Sequence, residues 1–399
     1  MSGGANGGNV SETDNFDLEI AGVQRPALIV GAVGAALLAL TAVRDPSQFF
    51  RSYLLGYVFW IGVPLGSLGL LMLHHLTGGG WGFVIRRVCE ASTRTFLLMA
   101  VLFVPVIVGM PKLYAWAQPE WASEVHSGLK AVYLTRNFFL IRALFYFATW
   151  TLLSTLLSRW SQEEDSTHSP SEHGRMENLS APGLLLYGFT STFASIDWVM
   201  SLEPHWFSTI FGMIFIVVQV LSAMAFSIVV TRWLSERGRL AAVASPSRFQ
   251  DLGNLLFAFV MLWAYLSFSQ FLLIWSGNIK EEIPWYLSRM TGSWAGVALF
   301  LILFHFAAPF LLLLNRPLKR KKQRLAAIAA ALLVISMVDV YWLITPAFFP
   351  KAPEVHASDV LALLAIGGLW VWAFAGQLRG KSLVPLGDAR LEEAPEHGH

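Results

Sequence analysis

Ten stretches of about twenty mostly apolar residues run through this chain, and that is the length a membrane-spanning helix needs. They lie near 26–43, 52–77, 94–110, 137–158, 182–202, 206–231, 252–275, 291–314, 325–346 and 358–378. Inside hydrocarbon every backbone polar group must be satisfied by protein, which leaves only helices or closed barrels. The alternating ten-residue pattern of a lipid-facing barrel is missing, so helices remain. The expected fold is an all-α polytopic membrane protein with ten transmembrane helices. Composition agrees, with 55% hydrophobic and 14% charged residues, against about 25% charged in a soluble chain. A soluble enzyme, a disordered protein and a nucleic-acid binder are excluded on that ground. The net charge of +2 offers no field to an acidic partner. Cys89 is the single cysteine, which removes disulfide frameworks, thiolate zinc sites and cysteine-ligated iron–sulfur clusters.

With ten spans, both termini and the even-numbered loops share one face. That face carries 19 Lys and Arg, the other carries 8, and Arg142 lies inside span 4. Arg86, Arg87, Arg94, Arg237, Arg239 and the run Arg316 to Arg324 dominate the count. The positive-inside rule then puts both termini in the cytoplasm. Residues 1–25 are acidic and polar and read as a cytoplasmic tail without the basic start of a signal peptide. Segment 160–180 reads as a flexible cytoplasmic loop, and 380–399 as a second tail. The outer loops carry Tyr114, Trp116, Trp121, Tyr133, Trp285 and Tyr286. Composition favours an aromatic belt there over a docking surface for a periplasmic partner.

An internal repeat is visible. Ser52, Gly56, Phe59 and Leu65 in span 2 match Ser208, Gly212, Phe215 and Leu221 in span 6, each 156 residues on. Asp197 in span 5 precedes Pro204 by seven residues, as Asp339 in span 9 precedes Pro346. An Asp within a span is rare, so the second match weighs more. Four spans return a chain to its starting face, so the repeat is parallel. It gives one four-helix bundle over 52–202 and another over 203–346. Span 1 with its loop (26–51) and span 10 with its loop (347–379) flank them.

At about 1.5 Å per residue, Asp197 and Asp339 both sit roughly 23 Å from the cytoplasmic end of their helices. A charge at membrane depth costs about 2.5–3.5 kcal/mol even on lenient scales, so it must face inward, pair or protonate. One reading is a proton relay through Asp197, Asp339, His305, Tyr341 and Ser195, with hydroxyls and amides such as Tyr187, Thr190, Ser191 and Gln270 as links. The other is that Arg142 is a counter-ion that locks an Asp in place. The two weigh equally for Asp197, and relay weighs more for Asp339. His74 and His75 read as interfacial residues at the end of span 2. Only His305 lies deep in the membrane, which excludes a paired-His haem and a zinc site. Glu203 and His205, with Asp197, are the candidates for a quinol site near the outer face. Gly78, Gly79, Gly80 and Gly82 lack a following Lys-Ser/Thr, so they form a turn and not a phosphate cradle.

The strings FASIDWVMSLEPHWFSTIFG (193–212), FSQFLLIWSGNIKEEIPWY (268–286) and LMLHHLTGGGWGFVIRR (71–87) closely resemble one membrane subunit type. It is the ActF-type subunit of bacterial alternative complex III, a quinol:cytochrome c or quinol:copper-protein oxidoreductase, within the NrfD/PsrC-like family. The resemblance covers nearly the whole chain. It implies a non-redox subunit with no catalytic centre of its own, inside a respiratory electron-transport complex. Implied partners are a multihaem cytochrome c subunit, an iron–sulfur subunit and a second NrfD-like membrane subunit, but no nucleic acid. No cofactor is expected to bind firmly. Menaquinone or ubiquinone and lipids are the small molecules implied. The role it implies is anchoring and proton translocation through the bundles, carried onto Asp197 and Asp339 and then His305. The alternatives are a quinol site within this subunit, an independent secondary transporter, or a pure scaffold.

Overall fold

A computed structural model describes residues 6–120, 132–167, 170–236 and 240–384. Those residues are helical throughout apart from short turns, with no strand among them. The long helices are α1 (Asn6–Arg44), α2 (Pro46–Thr77), α3 (Gly80–Thr93), α4 (Phe96–Leu102), α5 (Arg136–Thr167) and α6 (Pro170–Trp198). They are followed by α7 (Phe211–Leu234), α8 (Pro246–Gly277), α9 (Ile283–Met290), α10 (Trp294–Leu314), α11 (Lys322–Ile344) and α12 (Ala357–Leu378). Among the described residues, nine helical stretches are long and apolar enough to cross a membrane. They coincide with nine of the ten expected spans. The other, 182–202, falls on α6, which is long enough but diluted by Thr190, Ser191, Ser195 and Asp197, all buried inside the protein.

The helix starts follow local chemistry. Asp45 accepts a hydrogen bond from the Gln48 backbone amide, and Pro46, which has no N–H to satisfy, opens α2. Asn278 ends α8 in the left-handed conformation that a stop of this kind favours. Between α3 and α4 the Thr93 and Thr95 hydroxyls donate back to the Glu90 and Ser92 carbonyls, which weakens the ladder at a helix break.

Helices α2 and α7 form the centre, and both are apolar and buried nearly all round. They touch through Gly66. A Cβ added there would stand 2.1 Å from the Gln219 carbonyl oxygen and 2.7 Å from the Ala223 Cβ. Small residues let helix backbones approach in lipid, where no hydrophobic force drives them together. Around this pair the contacts are matched: α3 and α6 pack on α2, while α8 and α11 pack on α7. Asp197 on α6 and Asp339 on α11 therefore occupy corresponding helices. On the flank, α1 meets α12 through Gly31, Gly34 and Gly368. Apolar side chains such as Val33, Leu40, Phe268 and Leu311 point outward, as a lipid-facing wall requires.

Several expectations are corrected. The tail 1–25 is helical from Asn6, and α1 runs unbroken through Pro26. The basic loop before span 3 is instead helix α3, with Arg86 and Arg87 buried. Residues 160–167 end α5 and residues 170–180 begin α6. Glu164 and Asp165 accept hydrogen bonds from Arg86 and Arg87 of α3, which ties the end of α5 inward. His74 and His75, in the last turn of α2, are both buried in the protein. Trp121, Arg237, Arg239 and residues 385–399 lie outside the described residues.

Candidate functional site

Several buried polar clusters lie in the helical interior among the described residues. The first joins α5 and α6. Arg142 donates through Nε and Nη2 to the two oxygens of Asp197, at 2.8 Å each, and Tyr146 donates its hydroxyl to the same carboxylate at 2.8 Å. The guanidinium lies 3.8 Å from the Tyr133 ring centre and 4.4 Å from that of Phe138. A fork-to-fork pair of this kind is strong and directional, and it holds both charges in place. Ser195 turns away from it and donates to the Thr192 carbonyl.

The second cluster joins α8, α10 and α11. Trp263 donates its indole N–H to Asp339 Oδ2 at 3.0 Å. His305 Nδ1 stands 3.7 Å from the same oxygen, and Ser336 Oγ stands 3.5 Å from His305 Nε2. Among the described residues no Lys or Arg pairs with Asp339. His305 sits where the helix widens into a π turn over Ile302–Ala307. Such turns open the ladder and recur at functional positions. Trp263 covers the imidazole with ring centres 4.3 Å apart. Asp339 and His305, 34 residues apart in sequence, thus meet in the buried interior. Tyr341 is not part of it, since its hydroxyl donates to the Glu354 carbonyl at the helix end.

The third cluster was not among the candidates. Glu90 on α3 accepts from Arg86 at 3.1 Å, from Arg87 at 2.8 Å and from Ser161 at 2.6 Å. Arg86 also donates to Glu164 at 2.6 Å, and Arg87 to Asp165. Close by, His75 Nδ1 lies 3.1 Å from Ser180 Oγ. The sequence signal was the spacing Arg86-Arg87-Glu90, which places partners three and four apart on one helix face. Between the first and third clusters lie Thr190, which accepts from Trp150 at 2.9 Å, and Tyr187, 3.5 Å from Gln219.

At the opposite end, Glu203 accepts from Arg289 Nη2 at 2.6 Å. Arg289 is fully buried, also donates to the Leu343 carbonyl, and stacks 3.9 Å from the Trp285 ring centre. Burial pulls the Arg289 guanidinium below its usual range, and the Glu203 carboxylate opposes that pull. Trp285 stacks in turn on Trp206 at 4.4 Å. Glu203 thus ties the turn after α6 to α9, and His205 beside it is exposed. Among the described residues no three His, Cys, Asp or Glu side chains group as a metal site would need.

Helix lengths, apolar outer faces and buried charge clusters define this chain as a multi-pass, all-α membrane protein. No protein-family model matches the chain, and no curated protein sequence matches it.

Proposed function

We propose that this chain is a membrane subunit of a quinol-oxidising respiratory complex of the alternative complex III type, that it anchors the complex, and that it conducts protons. The partners in this reading are a multihaem cytochrome c subunit, an iron–sulfur subunit and a second NrfD-like membrane subunit. The termini face the cytoplasm. The observation that carries proton conduction is the buried Asp339–His305 pair at the π turn, with no Lys or Arg among the described residues to fix the carboxylate's charge. A buried carboxylate without a cation is costly when ionised, so proton uptake and release are coupled to its surroundings. The imidazole beside it offers the next acceptor at 3.7 Å, close enough for one small rotation or one water. Asp197 differs, because Arg142 and Tyr146 donate hydrogen bonds to both of its oxygens. Glu203 is engaged by Arg289, so no observation favours a quinol site there.

The test is Asp339→Asn in the complex purified from membranes in mild detergent and returned to liposomes. The reading expects a haem-bearing complex of normal composition whose quinol oxidation continues while proton movement across the bilayer is lost. Unchanged proton movement in that variant removes Asp339 from the path. A wild-type chain that purifies alone and colourless overturns the respiratory assignment.

A further inference from the structure

Helix α5 changes character along its length. Its outward positions are apolar up to Leu152, with Leu144, Phe145 and Leu152 all exposed. From there on the outward stripe is polar: Thr155, Arg159, Gln162 and Ser166, spaced four, three and four residues apart. Thr155 lies 19 residues past Arg136, about 28 Å along the helix axis. That is close to the thickness of the hydrocarbon layer, about 30 Å. The polar stripe therefore begins at headgroup level.

Two further cations face the stripe from other elements. Arg94 stands at the break between α3 and α4, and Lys381 follows the end of α12. Together these groups line a pocket of about 420 Å³. Among the described residues the only carboxylate in its wall is Glu163, which Arg159 engages at 2.9 Å. Arg94 reaches only to 3.5 Å from Glu90, an acid already shared by Arg86 and Arg87, and its Nη2 makes no hydrogen bond. Lys381 makes no hydrogen bond or ion pair among the described residues. Its ammonium is pulled down to about 8, by burial first and then by Arg94. Three cations thus converge on a space that one carboxylate does not neutralise.

We propose that this pocket seats the phosphate of an acidic phospholipid headgroup, with Arg94, Arg159 and Lys381 as its cations. Phosphate is the chemistry that several converging cations select. Basic pockets between spanning helices at headgroup depth suit lipid phosphates. The exposed Leu144, Phe145 and Leu152 one to three turns deeper give acyl chains an apolar wall, which free phosphate does not need.

The test uses the full chain with whatever partners accompany it, in mild detergent, and native mass spectrometry after exchange against phosphatidylglycerol, phosphatidylcholine or inorganic phosphate. Arg159 is 74% exposed, so the pair Arg159→Gln and Lys381→Gln leaves the helical core untouched. The expected result is one phosphatidylglycerol held by the wild type, at least tenfold weaker retention in the double variant, and recovery in Arg159→Lys with Lys381→Arg. Equal retention of phosphatidylglycerol in the glutamine variant overturns the proposal. So does equal retention of phosphatidylcholine, or inorganic phosphate binding as tightly as the lipid.

Discussion

Arg142 and Asp197 offer the sharpest energetic test. In the folded chain Asp197 is 1% exposed and receives three hydrogen bonds, two of them from Arg142. Replacing Arg142 by Gln removes the fork and leaves a buried carboxylate with Tyr146 alone. Breaking a buried pair from one side costs about 3–5 kcal/mol, because the abandoned charge stays desolvated. Replacing both partners, Arg142→Met with Asp197→Leu, removes the charge together with its partner and is expected within about 1–2 kcal/mol of wild type, since apolar replacement of a buried pair is often near neutral. In the cycle closed by Arg142→Met and Asp197→Leu, the double variant should therefore be more stable than either of its single variants. The assay is reversible unfolding in mixed micelles of dodecyl maltoside and SDS, followed by tryptophan fluorescence. A loss below about 1 kcal/mol for Arg142→Gln would refute the locked-pair argument, since that is the range of an exposed pair. It would also return Asp197 to the proton relay as an equal of Asp339.

Two further outcomes follow from packing and charge. Gly66→Ala places a methyl 2.1 Å from the Gln219 carbonyl oxygen, so α2 and α7 must separate. A loss of about 1–3 kcal/mol in the same unfolding assay is expected, whereas Gly188→Ala on α6, with nothing within 4 Å of the added methyl, should be neutral or slightly stabilising. Lys381 is charged below a pKa of about 8 and faces Arg94, Arg87 and Glu90, so retention of phosphatidylglycerol should weaken as pH rises from 7 to 9. Retention that is flat over that range excludes Lys381 as one of the cations.

The spans were legible because twenty apolar residues in a row admit few other structures. The edges were less so, and for one reason. A charged segment reads as solvated, yet Arg86 and Arg87 on α3 find Glu164 and Asp165 on α5, so both segments fold inward as helices. Charge density alone does not reveal such pairing across 78 residues. The polar composition of α6 likewise hid its burial, because Thr190, Ser191 and Ser195 face protein and not lipid. At the candidate site, Asp339 and His305 were each singled out, as was Arg142 as a counter-ion. What sequence left open was which Asp the guanidinium holds. Trp263 and Arg289 gave no signal, since their roles depend on helices brought together from 76 and 86 residues away.

The acid–arginine cluster on α3 also constrains how the chain is made. Arg86 and Arg87 leave the ribosome 78 residues before Glu164 and Asp165. At a synthesis rate of about 5–20 residues per second, that is a wait of about 4–16 s. During it Glu90 alone serves Arg86, Arg87 and Arg94. Until α5 emerges, α3 therefore holds surplus positive charge at headgroup level, and its final packing waits for the arrival of two acids.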